Sequence, residues 1–228
     1  MKTAAVLACA GSGSRMKGTC ADKLLYDKIG IPVVVHTLKA YDATEEIDLL
    51  VIVTRKELIP VYQAFKKDFG IHKKMLVVEG GDTRMESVLC GVRTVPEDFD
   101  FVAIGDGARP LIQPQEISAT VQAAYKSGAA ALGVHMTDTV KEVRDGKILR
   151  TLPRETLVGI QTPQVFAREE YLELAVRAAE SGENFTDDAL IYEFFGREVT
   201  LVEGKRNNIK ITLPEDIPMF LALMEEQK

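Results

Sequence analysis

Only three cysteines, Cys9, Cys20 and Cys90, and three histidines, His36, His72 and His135, occur in the 228 residues. The cysteines have no metal-ligand spacing, which argues against both a zinc site and a disulfide framework. Cys9 has no base beside it in sequence and reads as a small buried residue. The histidines are scattered, with no acidic or cysteine partner in a local motif, and read as structural or surface residues. Long apolar runs are missing too. The first run stops at a glycine loop after Ala8, too short for a membrane span and unlike a signal peptide, so the cytoplasm is the expected compartment. Positive charge is in deficit: 28 Lys and Arg stand against 34 Asp and Glu, a net charge of −6. That balance disfavours nucleic acid as a partner and requires that any anionic ligand be met by cations concentrated locally. No linker, repeat or low-complexity segment interrupts the chain, and one domain over residues 1–228 is expected.

What the sequence does contain begins with an apolar run at residues 4–8, read as a buried parallel strand. It breaks into Ala10-Gly11-Ser12-Gly13-Ser14-Arg15. Two glycines around one small residue allow a tight turn with uncovered N–H groups, a form that can cradle phosphate oxygens. Arg15 and Lys23 add two positive charges. The spacing matches neither familiar phosphate loop. Met16 stands where a dinucleotide fingerprint needs its third glycine, and Lys17 precedes Gly18, where the other loop needs Gly-Lys-Ser/Thr.

Strand and helix patterns then alternate. A helix opens at Pro32 and runs over 33–43, a strand covers 48–54, and Thr54 is placed to cap a helix reaching about 69. A strand at 74–78 ends in Gly80-Gly81, and Thr83 with Glu86 forms a capping box for a helix to about 95. Residues 100–104 form a strand, 115–126 a helix and 129–134 a strand. This rhythm predicts an α/β fold: a doubly wound, mostly parallel twisted sheet with helices on both faces. Ligands in such sheets sit at the carboxyl ends of strands, so the loops at 10–15, 80–84 and 105–110 should converge there.

Residues 138–161 break the rhythm. Segments 139–144 and 147–152 alternate around Asp145-Gly146 and predict an inserted β-hairpin arm. It has little of its own to pack on, and would either fold back over the site or project and pair with another chain. Helices at 169–180 and 187–195, strands at 198–202 and 209–212, and a final helix begun by Pro214 complete the reading.

The chain resembles the family of 2-C-methyl-D-erythritol 4-phosphate cytidylyltransferases. The likeness is carried by Ala10-Gly11-Ser12-Gly13-Ser14-Arg15-Met16, Lys23, Gly80-Gly81-Asp82-Thr83-Arg84 with Ser87-Val88, and Asp106 with Ala108-Arg109-Pro110. It continues through Asp138-Thr139-Val140-Lys141, Gln161-Thr162-Pro163-Gln164, Thr186-Asp187 and Asn208-Ile209-Lys210-Ile211-Thr212 with Pro214-Glu215-Asp216. The set stands in the family's order and covers nearly the whole chain. Two departures stand out. Gly105 and Gly107 replace the family's frequent His and Ala around Asp106 and are expected to loosen that loop, and Asn207 stands where an acidic residue is frequent.

The resemblance implies transfer of CMP from CTP to a polyol phosphate with release of pyrophosphate, in non-mevalonate isoprenoid precursor synthesis. Such chemistry needs positioning and charge stabilisation rather than a side-chain nucleophile. Arg15 and Lys23 match positions that stabilise charge at the α-phosphate, and Arg154 and Lys210 match positions that orient the incoming phosphate; these four are the expected catalytic residues. Ala10, Gly11, Ser12, Gly13, Gly81, Asp82, Ser87, Asp106, Ala108, Arg109, Thr139, Thr162 and Thr186 are the expected substrate-binding residues, with the 80–84 loop and Ser87 reading the base and Thr139 and Thr162 helping to hold the acceptor. The triphosphate calls for Mg²⁺ or another divalent cation, with Asp106 as ligand or, alternatively, as a turn carboxylate. Arg154 lies in the arm, which in the family pairs with a second subunit, so a homodimer with shared sites is implied. The same chemistry on ribitol 5-phosphate, a related enzyme using another base, and a non-catalytic nucleotide-binding protein are the competing readings. An NAD-binding module is the weakest.

Overall fold

The computed structural model describes residues 1–11, 22–27 and 30–226. Its main sheet has strands β1 (Thr3–Ala8), β2 (Ile47–Thr54), β3 (Lys74–Glu79), β4 (Phe101–Asp106), β5 (Ala129–His135), β8 (Val158–Ala167) and β9 (Thr200–Glu203); the inserted hairpin comprises β6 (Lys141–Arg144) and β7 (Lys147–Thr151). The helices are α1 (Val33–Asp42), α2 (Ile59–Asp68), α3 (Arg84–Arg93), α4 (Pro114–Ser127), α5 (Arg168–Ser181), α6 (Asp188–Phe194) and α7 (Asp216–Glu225). The spatial order of the sheet is β3-β2-β1-β4-β8-β5-β9. Every pairing is parallel except those of β8, which runs antiparallel to both β4 and β5.

The period-2 alternation of β1 divides the core. Ala5 and Leu7 join the cluster formed by α1, α2 and α4, while Ala4 and Val6 join that of α3, α5 and α6. A strand buried on both faces must be apolar throughout, as TAAVLA nearly is. The capping box that opens α3 is present: Glu86 N donates to Thr83 Oγ1 at 3.1 Å and Thr83 N to Glu86 Oε2 at 2.9 Å. No helix among the described residues is long and apolar enough to cross a membrane.

Several expectations are corrected. Thr54 caps nothing; it is still inside β2, paired with Glu79, and a short 3-10 turn at Lys56–Leu58 precedes α2. Pro214 lies ahead of α7, whose cap position is Glu215. Residues 209–212 form no strand. That segment instead crosses the loop after β4, where Ile211 N donates to Ala108 O at 2.9 Å. The largest omission is β8. Pro163 in its middle argues against a strand by sequence, since proline removes a ladder donor. It is accommodated where the β5 register shifts between Ala131 and Gly133, and the Thr162–Pro163 bond is cis.

The arm is the expected hairpin, with Asp145 at φ 50° and Gly146 at φ 73° in its turn. It forms its own two-stranded sheet and leaves Val143, Ile148 and Leu149 at 56%, 66% and 50% exposure, so it does not fold back onto the body.

The glycines flanking Asp106 do not loosen the loop. Both are buried, and a Cβ at Gly105 would collide with the Tyr41 hydroxyl and lie 2.7 Å from Leu7 Cδ2, while one at Gly107 would strike Cys9 Sγ. Tyr41 and Cys9 fill the space that larger residues would need. Gly105→Ala should therefore destabilise by about 1–3 kcal/mol in urea unfolding, an overpacking cost. Tyr41→Phe in the same chain should recover part of that loss. A loop merely loosened by glycine would instead gain about 0.4–1 kcal/mol from alanine.

Candidate active site

The ends of β1, β3 and β4 open onto one cavity of about 310 Å³. Ala10 and Gly11 line it from β1, Gly81, Asp82, Arg84 and Ser87 from the loop and helix after β3, and Asp106 and Ala108 from the end of β4; Lys23 and Lys210 complete the wall. Among the described residues, the predicted convergence is present for 80–84, 105–110 and the first two residues of the 10–15 loop, whose remainder lies outside them. A Cβ at Gly80 would sit 2.7 Å from Ser87 Oγ and 2.9 Å from Ala10 Cβ, so glycine there lets two loops close together. Ser87, expected to help read the base, donates its hydroxyl to Gly81 O at 3.1 Å and so shapes the loop itself. Lys23 begins a short turn capped by Asp22, whose Oδ1 accepts from Leu24 N at 2.9 Å and whose Oδ2 meets Arg55 Nη2 at 2.7 Å. Lys23 Nζ donates to Ile211 O at 2.8 Å.

A second cavity, of about 530 Å³, adjoins the first and is lined by Arg109, Thr162, Thr186, Asp187 and Glu193 among others. Arg84, Asp106 and Lys210 line both. Asp106 is nearly buried and faces three cations: Lys210 Nζ at 2.9 Å, Arg109 Nε at 3.3 Å and Arg84 Nε at 3.8 Å. Burial alone would raise its carboxyl pKa; the charges of Lys210, Arg84 and Arg109 outweigh that and hold it below the usual value. Burial lowers the pKa of Arg109, with Asp106 opposing. Arg109 Nη1 also donates to Asn208 O at 2.7 Å. Thr162 Oγ1 accepts from Asp106 N at 3.0 Å, so this threonine fixes the carboxylate's backbone as well as facing the second cavity.

Arg154 and Thr139 line neither cavity. Arg154 is on the exposed arm side, its Nη1 donating to Thr137 O at 2.9 Å. Ser12, Gly13 and Arg15 lie outside the described residues. The sequence did not single out Asn208 as a site residue, although its amide donates to Gln161 Oε1 at 3.1 Å and its carbonyl anchors Arg109. Nor did it single out Asp188, which binds Arg84 at 2.7 Å. Burial of a polar residue carries no local sequence signal. Among the described residues no group of three or more His, Cys, Asp or Glu side chains could hold a metal. One carboxylate, Asp106, fits a divalent cation that arrives on a triphosphate and takes its remaining ligands from phosphate and water; it does not fit a resident all-protein site.

The sequence profile described as IspD: 2-C-methyl-D-erythritol 4-phosphate cytidylyltransferase matches residues 3–226. The chain is 41% identical to the protein of that name from Pelotomaculum thermopropionicum, covering 100% of this chain and 96% of the other. It is 39% identical to that from Clostridium novyi, covering 100% and 98%. Among solved structures, the 4-diphosphocytidyl-2C-methyl-D-erythritol synthase of Anaerococcus prevotii superposes with a TM-score of 0.87 at 29% identity, covering 98% of this chain and 96% of that one.

The ion cluster generates a pH prediction. A carboxyl whose folded pKa is depressed contributes stability above its unfolded pKa, about 3.9, and loses it as pH falls through the folded value. Asp106→Asn removes that carboxylate from three cations and should cost about 3–5 kcal/mol at pH 7. Urea unfolding should show the difference from wild type narrowing at pH 3. An equal difference at both pH values would show that the carboxylate's charge is not what stabilises the fold.

Proposed function

Because the chain belongs to the 2-C-methyl-D-erythritol 4-phosphate cytidylyltransferase family, we propose that it transfers CMP from CTP to 2-C-methyl-D-erythritol 4-phosphate. The products are 4-diphosphocytidyl-2-C-methyl-D-erythritol and pyrophosphate, on the route to isoprenoid precursors. The observation that carries the proposal is the pair of adjoining cavities sharing Arg84, Asp106 and Lys210 at their junction. CTP occupies the cavity at the strand ends and the polyol phosphate the second, so that the reacting phosphates meet at the shared cations.

In the reaction an acceptor phosphate oxygen forms a bond to the α-phosphorus of CTP as the bond from that phosphorus to the bridging β-phosphate oxygen breaks, and pyrophosphate departs with the electron pair. The main-chain groups of Ala10, Gly11, Ser12 and Gly13 cradle the triphosphate, and the loop with Gly81 and Asp82, shaped by Ser87, reads the cytosine edge. Lys23 and Arg15 stabilise the charge gathering at the α-phosphate, Lys23 as a compact point charge and Arg15 as a planar fork. Lys210 and Arg109 orient the acceptor phosphate, with Thr162 and Thr186 beside it. A divalent cation such as Mg²⁺ arriving with the triphosphate would be held by Asp106 and would supply further charge neutralisation.

Arg154 and Thr139 enter this scheme through a homodimer. The arm pairs with a second copy, covering Val143, Ile148 and Leu149, and lends both residues to the neighbouring acceptor cavity. The cytoplasm is the assigned compartment, where free thiols such as Cys9 and Cys90 persist.

Pyrophosphate release from CTP and Mg²⁺ should require methylerythritol 4-phosphate and run at least about 10²-fold slower with ribitol 5-phosphate. Lys23→Ala and Lys210→Ala should each lower kcat/KM by about 10²–10³-fold, the loss expected for one preorganised donor. Preference for ribitol 5-phosphate would keep the chemistry and replace the acceptor. Sedimentation at micromolar concentration should give a dimer; a clean monomer with full activity would remove Arg154 and Thr139 from the mechanism.

A further inference from the structure

Arg84 is the first residue of α3 and part of the wall common to both cavities. Its Nη2 donates to Asp188 Oδ2 at 2.7 Å. Its Nε faces Asp106 Oδ1 at 3.8 Å, too far for a direct hydrogen bond. Asp188 is 1% exposed and lines neither cavity, so a ligand in either would not touch it. Its second oxygen accepts from the fully buried Tyr171 hydroxyl at 2.7 Å, and its backbone N–H donates to Gln164 Oε1 at 3.0 Å. The obvious structural duty for an acid at the start of α6 is to cap it, but Asp187 already does that, accepting from Leu190 N at 3.2 Å. What the Asp188 carboxylate binds is Arg84.

We infer that Asp188, itself oriented by Tyr171, is a positioning residue that holds the Arg84 guanidinium at the junction of the two cavities and away from a two-nitrogen pairing with Asp106. The inference rests on the reading of those cavities given above. A guanidinium has five donors in a planar fork and pairs most strongly when two of them meet one carboxylate. Released from Asp188, Arg84 has Asp106 as its neighbouring carboxylate. Closing on it would displace Lys210 from Asp106 and occupy the space where the reacting phosphates meet. With Asp188 in place, Nη2 of Arg84 is fixed and its Nε stands 3.8 Å from Asp106. Burial opposes the charge on Arg84, and Asp188 together with Asp106 more than restores it, so the side chain stays cationic.

The test uses the full-length enzyme, Asp188→Asn and Tyr171→Phe, with CTP, Mg²⁺ and methylerythritol 4-phosphate. Asp188→Asn should lower kcat by about 10–10²-fold, the scale of a small misplacement at the reacting centre, while calorimetry shows CTP affinity within about threefold of wild type. Tyr171→Phe keeps the ring and removes one hydrogen bond; it should act in the same direction by a few-fold, and it carries the test if Asp188→Asn fails to fold. Arg84→Gln combined with Asp188→Asn should lose no more than Arg84→Gln alone, because the two residues act as one unit. The Arg84 Nε–H resonance should exchange slowly with water in wild type and faster in both variants. Unchanged kcat per folded molecule despite a lowered Tm, additive losses in the double variant, or an unaltered Arg84 resonance would each overturn the relay. Absence of turnover by wild type would instead remove the proposed reaction, and the Arg84 resonance would still decide the relay.

Discussion

The Asp106 carboxylate, with Lys210, Arg109 and Arg84 around it, is the point on which three separate parts of the chain depend. Asp106 ends β4, Arg84 begins α3, and Lys210 arrives from the segment that precedes α7. The three cations are not equivalent. Arg84 has Asp188 as a second anchor, and Arg109 has the Asn208 carbonyl. Lys210 is the more exposed, its side chain 39% accessible, and a lysine is a flexible point charge where an arginine is a planar fork. Arg84 and Arg109 are therefore each held by a second partner, while Lys210 keeps the greatest accessibility of the three. Electrostatic preorganisation of this kind has its cost in the fold: buried ion clusters seldom stabilise more than apolar residues of the same volume would.

β8 ties that cluster to the rest of the molecule. Gln161 Nε2 donates to Lys205 O and its Oε1 accepts from Asn208; Thr162 receives the Asp106 N–H; Gln164 accepts from the N–H groups of both Asp188 and Ala189. Three residues of one strand thus hold the 205–208 segment, the end of β4 and the start of α6. β8, antiparallel to both β4 and β5, is also the strand that returns from the arm, so the arm's base and the second cavity share one element.

The parts legible in the sequence were those whose cause is local. Asp145-Gly146 needs no tertiary context to turn a hairpin, Thr83 and Glu86 cap α3 by their spacing, and an all-apolar run such as β1 belongs in the middle of a sheet. The parts missed depend on what lies across space. Pro163 disguises β8 because its accommodation comes from a register shift opposite β5. Residues 209–212 have strand-like composition, yet their backbone meets the loop after β4 instead of a ladder. Gly105 and Gly107 read as freedom and are instead space taken by Tyr41 and Cys9. Asp188 follows Asp187 directly, and nothing in the pair Asp-Asp tells which carboxylate caps a helix and which is buried against an arginine.

The net charge of −6 required that cations be concentrated wherever an anion binds. At the junction of the cavities three cations face Asp106, one of them, Arg84, also pairing with the buried Asp188, and Lys23 adds a further positive charge in the first cavity. The second cavity carries charge of both signs: besides Arg84, Asp106, Arg109 and Lys210, its lining includes Asp187 and Glu193. A polyol phosphate is anionic at one end and rich in hydroxyl donors at the other. In the proposed reaction that polarity orients it: the phosphate is drawn to Lys210 and Arg109, and the hydroxyls have the lining carboxylates as acceptors. The wrong orientation would draw the phosphate away from Lys210 and Arg109. The excess of acid elsewhere on the chain therefore does not oppose an anionic substrate; within this cavity it helps decide which end enters first.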